Sequence, residues 1–278
     1  MIKETLYYSS YGKINLFLHI NKRLKNKRHY LQSWIQFIEL KDLLSFKALN
    51  EPVIKIYSKN VNIPLQDNLI YKAALSMKKK INYKRGISIK IEKNIPLQSG
   101  LGGGSSNAAV TLYAINKIWN CNFPKKELIN IGYKIGADIP CFLRNRACWI
   151  EGEGKNTTKK YYIEQYCLII KPNFSCSTKT MFSHKRLKRN CNKLNEKDIE
   201  NPIYLKNVFE PIVYLLNPNL KELFRYLPDK KHIRLTGSGS CFYLLHKNIS
   251  VLKRNQAKLH KSIDSWIVKT LNSTPYQS

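Results

Sequence analysis

A glycine-rich run sets the strongest limit on how this chain folds. Residues 96–109 read P-L-Q-S-G-L-G-G-G-S-S-N-A-A, between a strand-like run at 86–92 and an apolar helical pattern at 108–115. A strand, a glycine-rich loop and a helix N-terminus in this order direct backbone N–H groups and the helix dipole at phosphate. Clustered glycines usually mark a flexible turn, but three in succession would cost chain entropy unless a bulky anion had to fit. We therefore predict a phosphate-binding loop, with Ser105, Ser106 and Asn107 at the helix cap.

Three well-known phosphate loops do not match this run. The P-loop pattern requires a lysine after its glycines, and none follows here. The dinucleotide fingerprint requires a third glycine at the position that Ser105 occupies. Protein kinases also carry H-R-D and D-F-G elements, which this chain lacks. The remaining pattern, G-L-G-G-G-S-S-N-A-A, resembles the ATP-binding motif of the small-molecule kinases named for galactose, homoserine, mevalonate and phosphomevalonate.

Net charge is the one property of the chain that points to another class of protein. The 48 Lys and Arg residues against 18 Asp and Glu give a formal net charge of +30, and such a field attracts polyanions. The basic residues are spread along the whole chain, without a homeodomain, zinc-finger or RNP pattern. Asn, Ile and Tyr are also abundant, as A/T-biased coding would produce alongside Lys. We expect no specific nucleic-acid partner, and a polyanion-binding protein stays as an alternative.

The remaining composition is that of an ordinary globular chain. Its 278 residues, 43% of them hydrophobic, suffice for a large core. No apolar run reaches the eighteen or so residues of a membrane span, and residues 1–10 lack the apolar core of a secretory signal. Seven scattered cysteines without a C-x-x-C pair predict reduced thiols, with Cys141, Cys148 and Cys167 as core fillers. We expect a cytoplasmic protein with no membrane partner, and the oligomeric state stays open.

The hydrophobic pattern predicts strands followed by helices in both halves of the chain. The predicted strands cover 5–10, 13–20, 33–40, 53–57, 86–92, 147–151, 167–171 and 266–271, with a strand–glycine turn–strand at 233–245. The predicted helices lie at 70–77 (capped by Asp67 and Asn68), 108–119, 125–133, 204–216, 220–227 and 251–261. Segment 183–199 is polar and basic, which predicts a surface excursion. This order indicates an α+β fold of two lobes around a cleft, an ATP-binding lobe over 1–155 and a substrate lobe over 156–278.

A lone carboxylate is the best candidate for a catalytic base. Phosphoryl transfer to an alcohol needs such a group, a metal ion and cations for developing charge. Asp138, in I-G-A-D-I-P, is the only carboxylate between Glu127 and Glu151 and has apolar neighbours, where a carboxylate gains basicity. A helix N-cap before Pro140 is the simpler interpretation, and it does not exclude catalysis.

Two further residue types complete the list drawn from the motifs. Ser105 or Ser106 could reach Mg²⁺ or a phosphate through a hydroxyl group. Lys13 is the candidate cation, in G-K-I-N-L-F-L, although a charge that alternates with apolar residues usually marks a solvated strand face. The pattern around Lys13 therefore leaves both interpretations open.

Taken together, the motifs resemble one family of enzymes along nearly the whole chain. The matching segments are residues 13–18, 29–37, 67–69, 96–109, 136–142, 151–154 and 236–241. In this order and spacing the chain is similar to the 4-diphosphocytidyl-2-C-methyl-D-erythritol kinases of the non-mevalonate isoprenoid route. The resemblance implies ATP, Mg²⁺ and phosphorylation of the substrate's 2-hydroxyl group. A sister kinase for homoserine, mevalonate or a sugar is the alternative, against which His29, Gln32 and Phe182 argue because those substrates offer no base.

The resemblance also implies a role for each matching residue. Asp138 matches the catalytic aspartate that accepts the hydroxyl proton, and Lys13 matches the lysine that keeps this aspartate ionised. His29 would hydrogen-bond the cytosine and Phe182 would stack on it. The implied ATP-binding residues are Asn68, Pro96, Gly100, Leu101, Gly102, Gly103, Gly104, Ser105, Ser106 and Asn107, and the implied substrate-binding residues are Asn15, Arg28, His29, Thr178, Phe182 and Gly239.

One loop departs from the family pattern. The family has D-G-Y where residues 26–28 of this chain read N-K-R. Arg28 therefore replaces the tyrosine that would stack on the cytosine, and a guanidinium group can also stack on an aromatic face.

Overall fold

The fold consists of one mixed β-sheet, with helices from both halves of the chain packed against it. The computed structural model describes residues 4–25, 29–59, 63–81, 84–154, 156–200 and 204–275. Its strands are β1 (Leu6–Arg23), β2 (His29–Leu49), β3 (Ile54–Ser58), β4 (Gly86–Glu92), β5 (Cys148–Gly152), β6 (Asn156–Lys159), β7 (Tyr166–Lys171), β8 (Arg234–Leu235), β9 (Phe242–His246) and β10 (Asp264–Leu271). Its helices are α1 (Leu69–Lys80), α2 (Gly103–Ile118), α3 (Lys125–Ile135), α4 (Ile139–Arg144), α5 (Thr178–Ser183), α6 (Glu210–Leu216), α7 (Leu220–Leu223) and α8 (Ile249–Gln256).

The long strand β2 joins the parts of the sheet. It pairs with β1 along most of its length, and also with β5, β10 and β4 in turn. Through β10 the sheet continues into β7, β9 and β8, so its path runs β3-β4-β2-β10-β7-β9-β8. Only β3 and β4 pair in parallel among the described strands. The expected α+β class is confirmed by this mixture of sheet and helices.

Local pattern and structure agree best where one face of a strand is buried. In β4 the isoleucines at 87, 89 and 91 are buried, which is the alternation that a half-buried strand requires. The first two predicted strands, 5–10 and 13–20, are in fact the single strand β1. Between Tyr11 and Gly12 the pairing with β2 shifts register at an irregularity in β2, and β1 makes no turn there.

The helices cover two hydrophobic cores, and a third core lies between them. Helices α1 to α4 pack on the N-terminal strands, whereas α6 to α8 pack with β7 and β9. The third cluster contains Ile14, Leu101, Trp149 and Ile169, and so joins residues from both halves of the chain. Among the described residues no helix is long and apolar enough to cross a bilayer. The division at residue 155 stays a prediction, and β5 and β6 pair across it.

The C-terminal half shows the largest differences from the predicted elements. The helix predicted over 204–216 begins only at Glu210, because Pro211 fits the first turn of a helix but not its interior. Segment 183–199 is mostly irregular, as predicted, but it is not wholly on the surface. Leu187 and Leu194 are buried, and the Cys191 N–H donates to the Ile20 carbonyl at 2.9 Å.

Candidate active site

The glycine-rich loop ends in a helix start that differs from the predicted one. Helix α2 begins at Gly103, after Gly102 in a left-handed conformation with φ of 72°, and no side chain caps it. Ser106 donates the first helical hydrogen bond, to the Gly102 carbonyl at 2.9 Å. The prediction that Ser105, Ser106 and Asn107 form the cap was therefore wrong, since all three lie inside the helix.

This helix start leaves backbone donors without partners. Among the described residues no group accepts from the N–H groups of Gly103, Gly104 or Ser105. The first N–H groups of any helix lack an intrahelical acceptor, and together with the helix dipole they form an anion site. The loop therefore offers three backbone donors to a phosphate.

The glycines serve two different purposes in this loop. A Cβ at Gly100 would lie 2.2 Å from the Thr236 carbonyl oxygen, and a Cβ at Gly102 would lie 2.8 Å from the Phe142 ring. Both residues also have positive φ, of 77° and 72°, so only glycine allows these close contacts. Gly104 is different: it is exposed, and its Cβ would meet nothing nearer than 3.6 Å. The space beside Gly104 is thus open to a ligand.

A buried ion pair that the sequence analysis missed holds the first turn of α2. Asp42, 0% exposed, accepts from Lys93 Nζ at 2.5 Å, and the side chain of Lys93 is 6% exposed. The other Asp42 oxygen accepts from the backbone N–H groups of Asn94 and Ile95, each at 2.8 Å. Asn107 Nδ2 also donates to Asp42, at 2.8 Å. The network joins β2, the segment after β4 and helix α2, and so fixes the position of the loop.

The two candidate metal-binding serines have different surroundings. Ser106 is 2% exposed, and its Oγ accepts from Ser10 Oγ at 2.7 Å. Asn107 Nδ2 donates to the same Ser10 hydroxyl at 2.9 Å. Ser105 is only half-buried, beside exposed Gly104. The described residues contain no group of three or more His, Cys, Asp or Glu side chains arranged for a metal ion.

Lys13 lies inside the protein against the glycine-rich loop. It is 3% exposed, and its Nζ donates to the Gly100 carbonyl at 2.7 Å and to Asn15 Oδ1 at 2.6 Å. Asn15 is oriented for this bond because its Nδ2 donates to Ser33 Oγ at 2.7 Å. Burial lowers the pKa of Lys13, and the negative charge of Asp138 partly offsets this change. The alternative of a solvated strand face is thereby excluded.

Asp138 stands at the start of α4 but does not cap that helix. Its φ and ψ of −83° and −20° are helical, whereas a capping residue is extended, and its side chain makes no capping bond. Within the described part of the chain its carboxylate forms neither a hydrogen bond nor an ion pair, although its charge acts on Lys13. Both carboxylate oxygens therefore stay available for another partner.

A second glycine turn, at residues 236–239, packs on the first. The N–H groups of Ser240 and Cys241 donate to the carbonyls of Gln98 and Ser99 at 3.1 and 2.9 Å. A Cβ at Gly237 would lie 2.7 Å from the Gly100 oxygen and 3.2 Å from Lys13 Nζ. The turn, which includes the predicted substrate residue Gly239, thus forms a wall beside Lys13.

The predicted base-binding residues also come together. The rings of His29 and Phe182 lie with centroids 5.2 Å apart, and Phe182 packs edge-on against Phe209. Thr178, on the same helix α5 as Phe182, has its hydroxyl 2.9 Å from Ser238 of the second glycine turn. Contacts therefore connect this predicted base-binding pair to the wall beside Lys13. Arg28 lies outside the described residues.

Several residues that were predicted to contact ATP or the substrate also stabilise the fold. Asn68 caps α1, its Oδ1 accepting from the Ile70 N–H at 2.9 Å. Leu101 is buried, and its carbonyl accepts from the Lys13 N–H at 2.9 Å. Gln32, one of the residues that argue for a base-containing substrate, is buried and hydrogen-bonded to Glu151 and to the backbone of Leu194. Pro96 is half-buried just ahead of the loop.

Comparisons with known proteins agree with this geometry. The family described as "GHMP kinases N terminal domain" matches residues 68–146, which contain the glycine-rich loop and Asp138. A protein of Francisella philomiragia named 4-diphosphocytidyl-2-C-methyl-D-erythritol kinase is 40% identical over 266 residues, 95% of this chain and 96% of the relative. A protein of Idiomarina loihiensis with the same name is 36% identical, covering 95% of this chain and 94% of the relative.

Solved structures share the fold at lower sequence identity. A crystal structure of a 4-(cytidine 5'-diphospho)-2C-methyl-D-erythritol kinase has a TM-score of 0.81 at 22% identity, covering 97% of this chain and all of the other. The homoserine kinase of Cytophaga hutchinsonii has a TM-score of 0.68 at 15% identity, covering 100% and 96%. The fold is therefore that of the small-molecule kinases, and the identity to its relatives places this chain in the family of 4-diphosphocytidyl-2-C-methyl-D-erythritol kinases.

Proposed function

We propose that this chain transfers the γ-phosphoryl group of ATP to the 2-hydroxyl group of 4-diphosphocytidyl-2-C-methyl-D-erythritol. The proposal is supported by the printed names of its relatives, which match almost the full length of the chain. The observation that carries the mechanism is the position of Lys13, which is buried against the Gly100 carbonyl. The carboxylate of Asp138 is close enough to raise the pKa of Lys13 against the effect of burial.

The glycine-rich loop would hold the nucleotide. The N–H groups of Gly103, Gly104 and Ser105 would donate to phosphate oxygens, and the absence of a side chain at Gly104 would let the phosphates approach the backbone. Since phosphoryl transfer involves little covalent chemistry for the protein, these fixed donors would act by positioning the phosphates and by stabilising their charge.

Asp138 and Lys13 would act on the acceptor hydroxyl. The free carboxylate of Asp138 would accept the proton as the hydroxyl attacks, which is the role of a general base. Lys13 would stabilise the negative charge on the transferred group. Asn15 and Gly100 hold the ammonium group in place, so that little reorganisation is needed during the reaction.

Mg²⁺ would accompany ATP in this site. Magnesium commonly binds through substrate phosphates with only one or two protein ligands, so the lack of a carboxylate cluster among the described residues is compatible with it. The half-buried Ser105 hydroxyl is better placed to bind it than Ser106, which is buried against Ser10. When bound, the ion would neutralise charge on the phosphates.

The His29 and Phe182 pair favours a substrate that carries a base. An aromatic ring and an imidazole can stack on a pyrimidine and hydrogen-bond it, whereas homoserine and mevalonate have no ring to contact. The contact from Thr178 to Ser238 connects this pair to the turn beside Lys13. We therefore assign the cytidine moiety to the His29 side of the site.

The test is ADP release by the purified protein with ATP, Mg²⁺ and each candidate alcohol. We expect turnover with the cytidine-linked substrate and none with homoserine or mevalonate. Asp138→Asn should lower kcat by about 10²–10⁴-fold, while Asp264→Asn, at an exposed position at the start of β10, should leave it unchanged. Turnover of homoserine or mevalonate alone would refute the substrate, and full activity of Asp138→Asn would refute the base.

A further inference from the structure

Arg189 contacts both members of the base-binding pair. Its Nη2 donates to the carbonyls of Phe182 and His184 at 2.8 and 3.1 Å, and its Nη1 donates to the Leu187 carbonyl at 3.1 Å. The remaining Nε–H points at His29 Nε2, 3.3 Å away. Three backbone carbonyls thus hold the guanidinium group in one orientation, with one donor aimed at the imidazole.

This contact determines which imidazole nitrogen carries the proton. A guanidinium group has only donors, so the nitrogen that faces it must offer a lone pair. His29 Nε2 is therefore the acceptor, and the proton of the neutral ring is on Nδ1. Among the described residues nothing accepts from Nδ1 of His29. The N–H at this position is available to a ligand.

An N–H donor at this point distinguishes the two common pyrimidines. N3 of cytosine is a hydrogen-bond acceptor, whereas N3 of uracil carries a hydrogen and would face the Nδ1–H donor to donor. Sites built around a fixed hydrogen bond reject a ligand that leaves the group unpaired. We propose that Arg189 is a positioning residue that fixes the Nδ1-protonated tautomer of His29, so that the site accepts cytosine and rejects uracil. This inference rests on the proposed function for the nature of the base.

The surrounding charges keep His29 in the neutral form that this requires. The charged groups that face it are Arg189, from the segment after α5, and Arg23, its pairing partner at the end of β1. Burial and these two cations lower the pKa of His29 below its ordinary value of 6.5. His29 therefore stays neutral at pH 7, and loss of Arg189 would move its pKa back towards that value.

The tautomer can be measured directly in the full-length protein. Nitrogen-15 NMR of labelled histidine distinguishes Nδ1–H from Nε2–H imidazole, and His29→Asn identifies the signal of His29 among the six histidines. We expect the Nδ1–H form in the wild type and a mixture in Arg189→Gln, because an amide side chain can both donate and accept. An Nε2–H signal in the wild type would overturn the proposal.

Ligand preference gives the second measurement. We expect the wild type to bind CDP about tenfold more tightly than UDP, the effect of one hydrogen bond, and Arg189→Gln to lose most of that preference. Arg189→Lys, which keeps a donor-only cation, should retain more of it. In the His29→Asn background, changing Arg189 should not alter the preference further. A purely structural role would instead weaken CDP and UDP binding equally, and that outcome would overturn the proposal.

Two controls separate the possible failures. Arg186→Gln changes an exposed arginine of the same segment and should alter neither the tautomer nor the preference. If Arg189→Gln does not fold, the wild-type tautomer and Arg189→Lys still decide the question. CDP and UDP binding requires no phosphoryl transfer. A protein that releases no ADP, but whose preference for CDP is lost in Arg189→Gln, would therefore contradict the proposed function and still support the role of Arg189.

Discussion

The ion pair between Asp42 and Lys93 gives the sharpest test of how the glycine-rich loop is held. Lys93→Met would leave the Asp42 carboxylate buried without its cation, and loss of one partner of a buried pair costs about 3–5 kcal/mol. Three N–H groups, from Asn94, Ile95 and Asn107, still donate to Asp42. They place the expected cost at the lower limit, about 3 kcal/mol. For a chain of this size that loss lowers Tm by about 6–12 °C.

Urea denaturation of a double-mutant cycle measures this coupling. Asp42→Asn should destabilise the protein by a similar amount, because it removes the only carboxylate paired with the Lys93 ammonium group among the described residues, and the Lys93 side chain is 6% exposed. The double variant should lose clearly less than the sum of the two single changes. Arg225→Met breaks the exposed pair with Glu222 and should change stability little. Additive losses, or a loss in Lys93→Met as small as that of Arg225→Met, would refute the argument.

Loss of the Asp42–Lys93 pair should also weaken the binding of ATP. Asn107, near the N-terminus of α2, donates to Asp42, and Lys93 Nζ would lie 3.2 Å from a Cβ at Gly103. The N-terminus of α2 would therefore move when the network is broken. In those variants that fold, we expect KM for ATP to rise by about tenfold or more, whereas KM for the alcohol should change less.

Three further predictions follow from the same site. Gly104→Ala should keep the folded structure, because its Cβ meets open space, yet raise KM for ATP about tenfold, while Gly102→Ala should lower Tm. Ser105→Ala should raise the Mg²⁺ concentration needed for half-maximal activity, whereas Ser106→Ala should cost about 1 kcal/mol of stability through its lost bond to Ser10. Lys13 is cationic only below its pKa, and burial lowers that pKa from its ordinary value of 10.5. We therefore expect kcat/KM to fall as pH rises, with the midpoint of the fall below pH 10.5. Bound ATP, an anion, should raise this pKa and move the fall of kcat to higher pH. Titration of Mg²⁺, thermal melts and pH–rate profiles check these outcomes.

Local signals in the sequence were enough to predict the parts of the fold that depend on local chemistry. Strand β4, the glycine-rich loop and the cap of α1 at Asn68 each follow from residues that are close together in the chain. The predicted cap of α2 was wrong for a reason that is also local. Gly102 adopts a left-handed conformation, which starts the helix before the serines are reached. Serine and asparagine are preferred at helix caps, but their presence does not show that a preceding glycine takes the cap position instead.

The missed residues depend on contacts between distant segments. Asp42 and Lys93 are separated by 51 positions, and each has the local pattern of a solvated charge until the fold brings the two together. Arg189 belongs to a segment that is polar and basic, so its sequence predicts only a surface excursion. Its importance comes from the contact with His29, 160 positions away. The strand predicted in this region ended at residue 40, in front of Lys41 and Asp42, so the sequence around Asp42 gave no sign that it is buried.

Lys13 shows why the chemistry belongs to the whole fold. A buried lysine is destabilising unless its charge is compensated and its N–H groups are hydrogen-bonded. Here the groups that do this come from separate segments. The glycine-rich loop supplies the Gly100 carbonyl, β2 orients Asn15 through Ser33, and α4 supplies the charge of Asp138. The cation is therefore held in place only after these segments have docked. Because the same docking orients the free N–H groups of α2, the proposed phosphate site and the Lys13 ammonium group beside it form together.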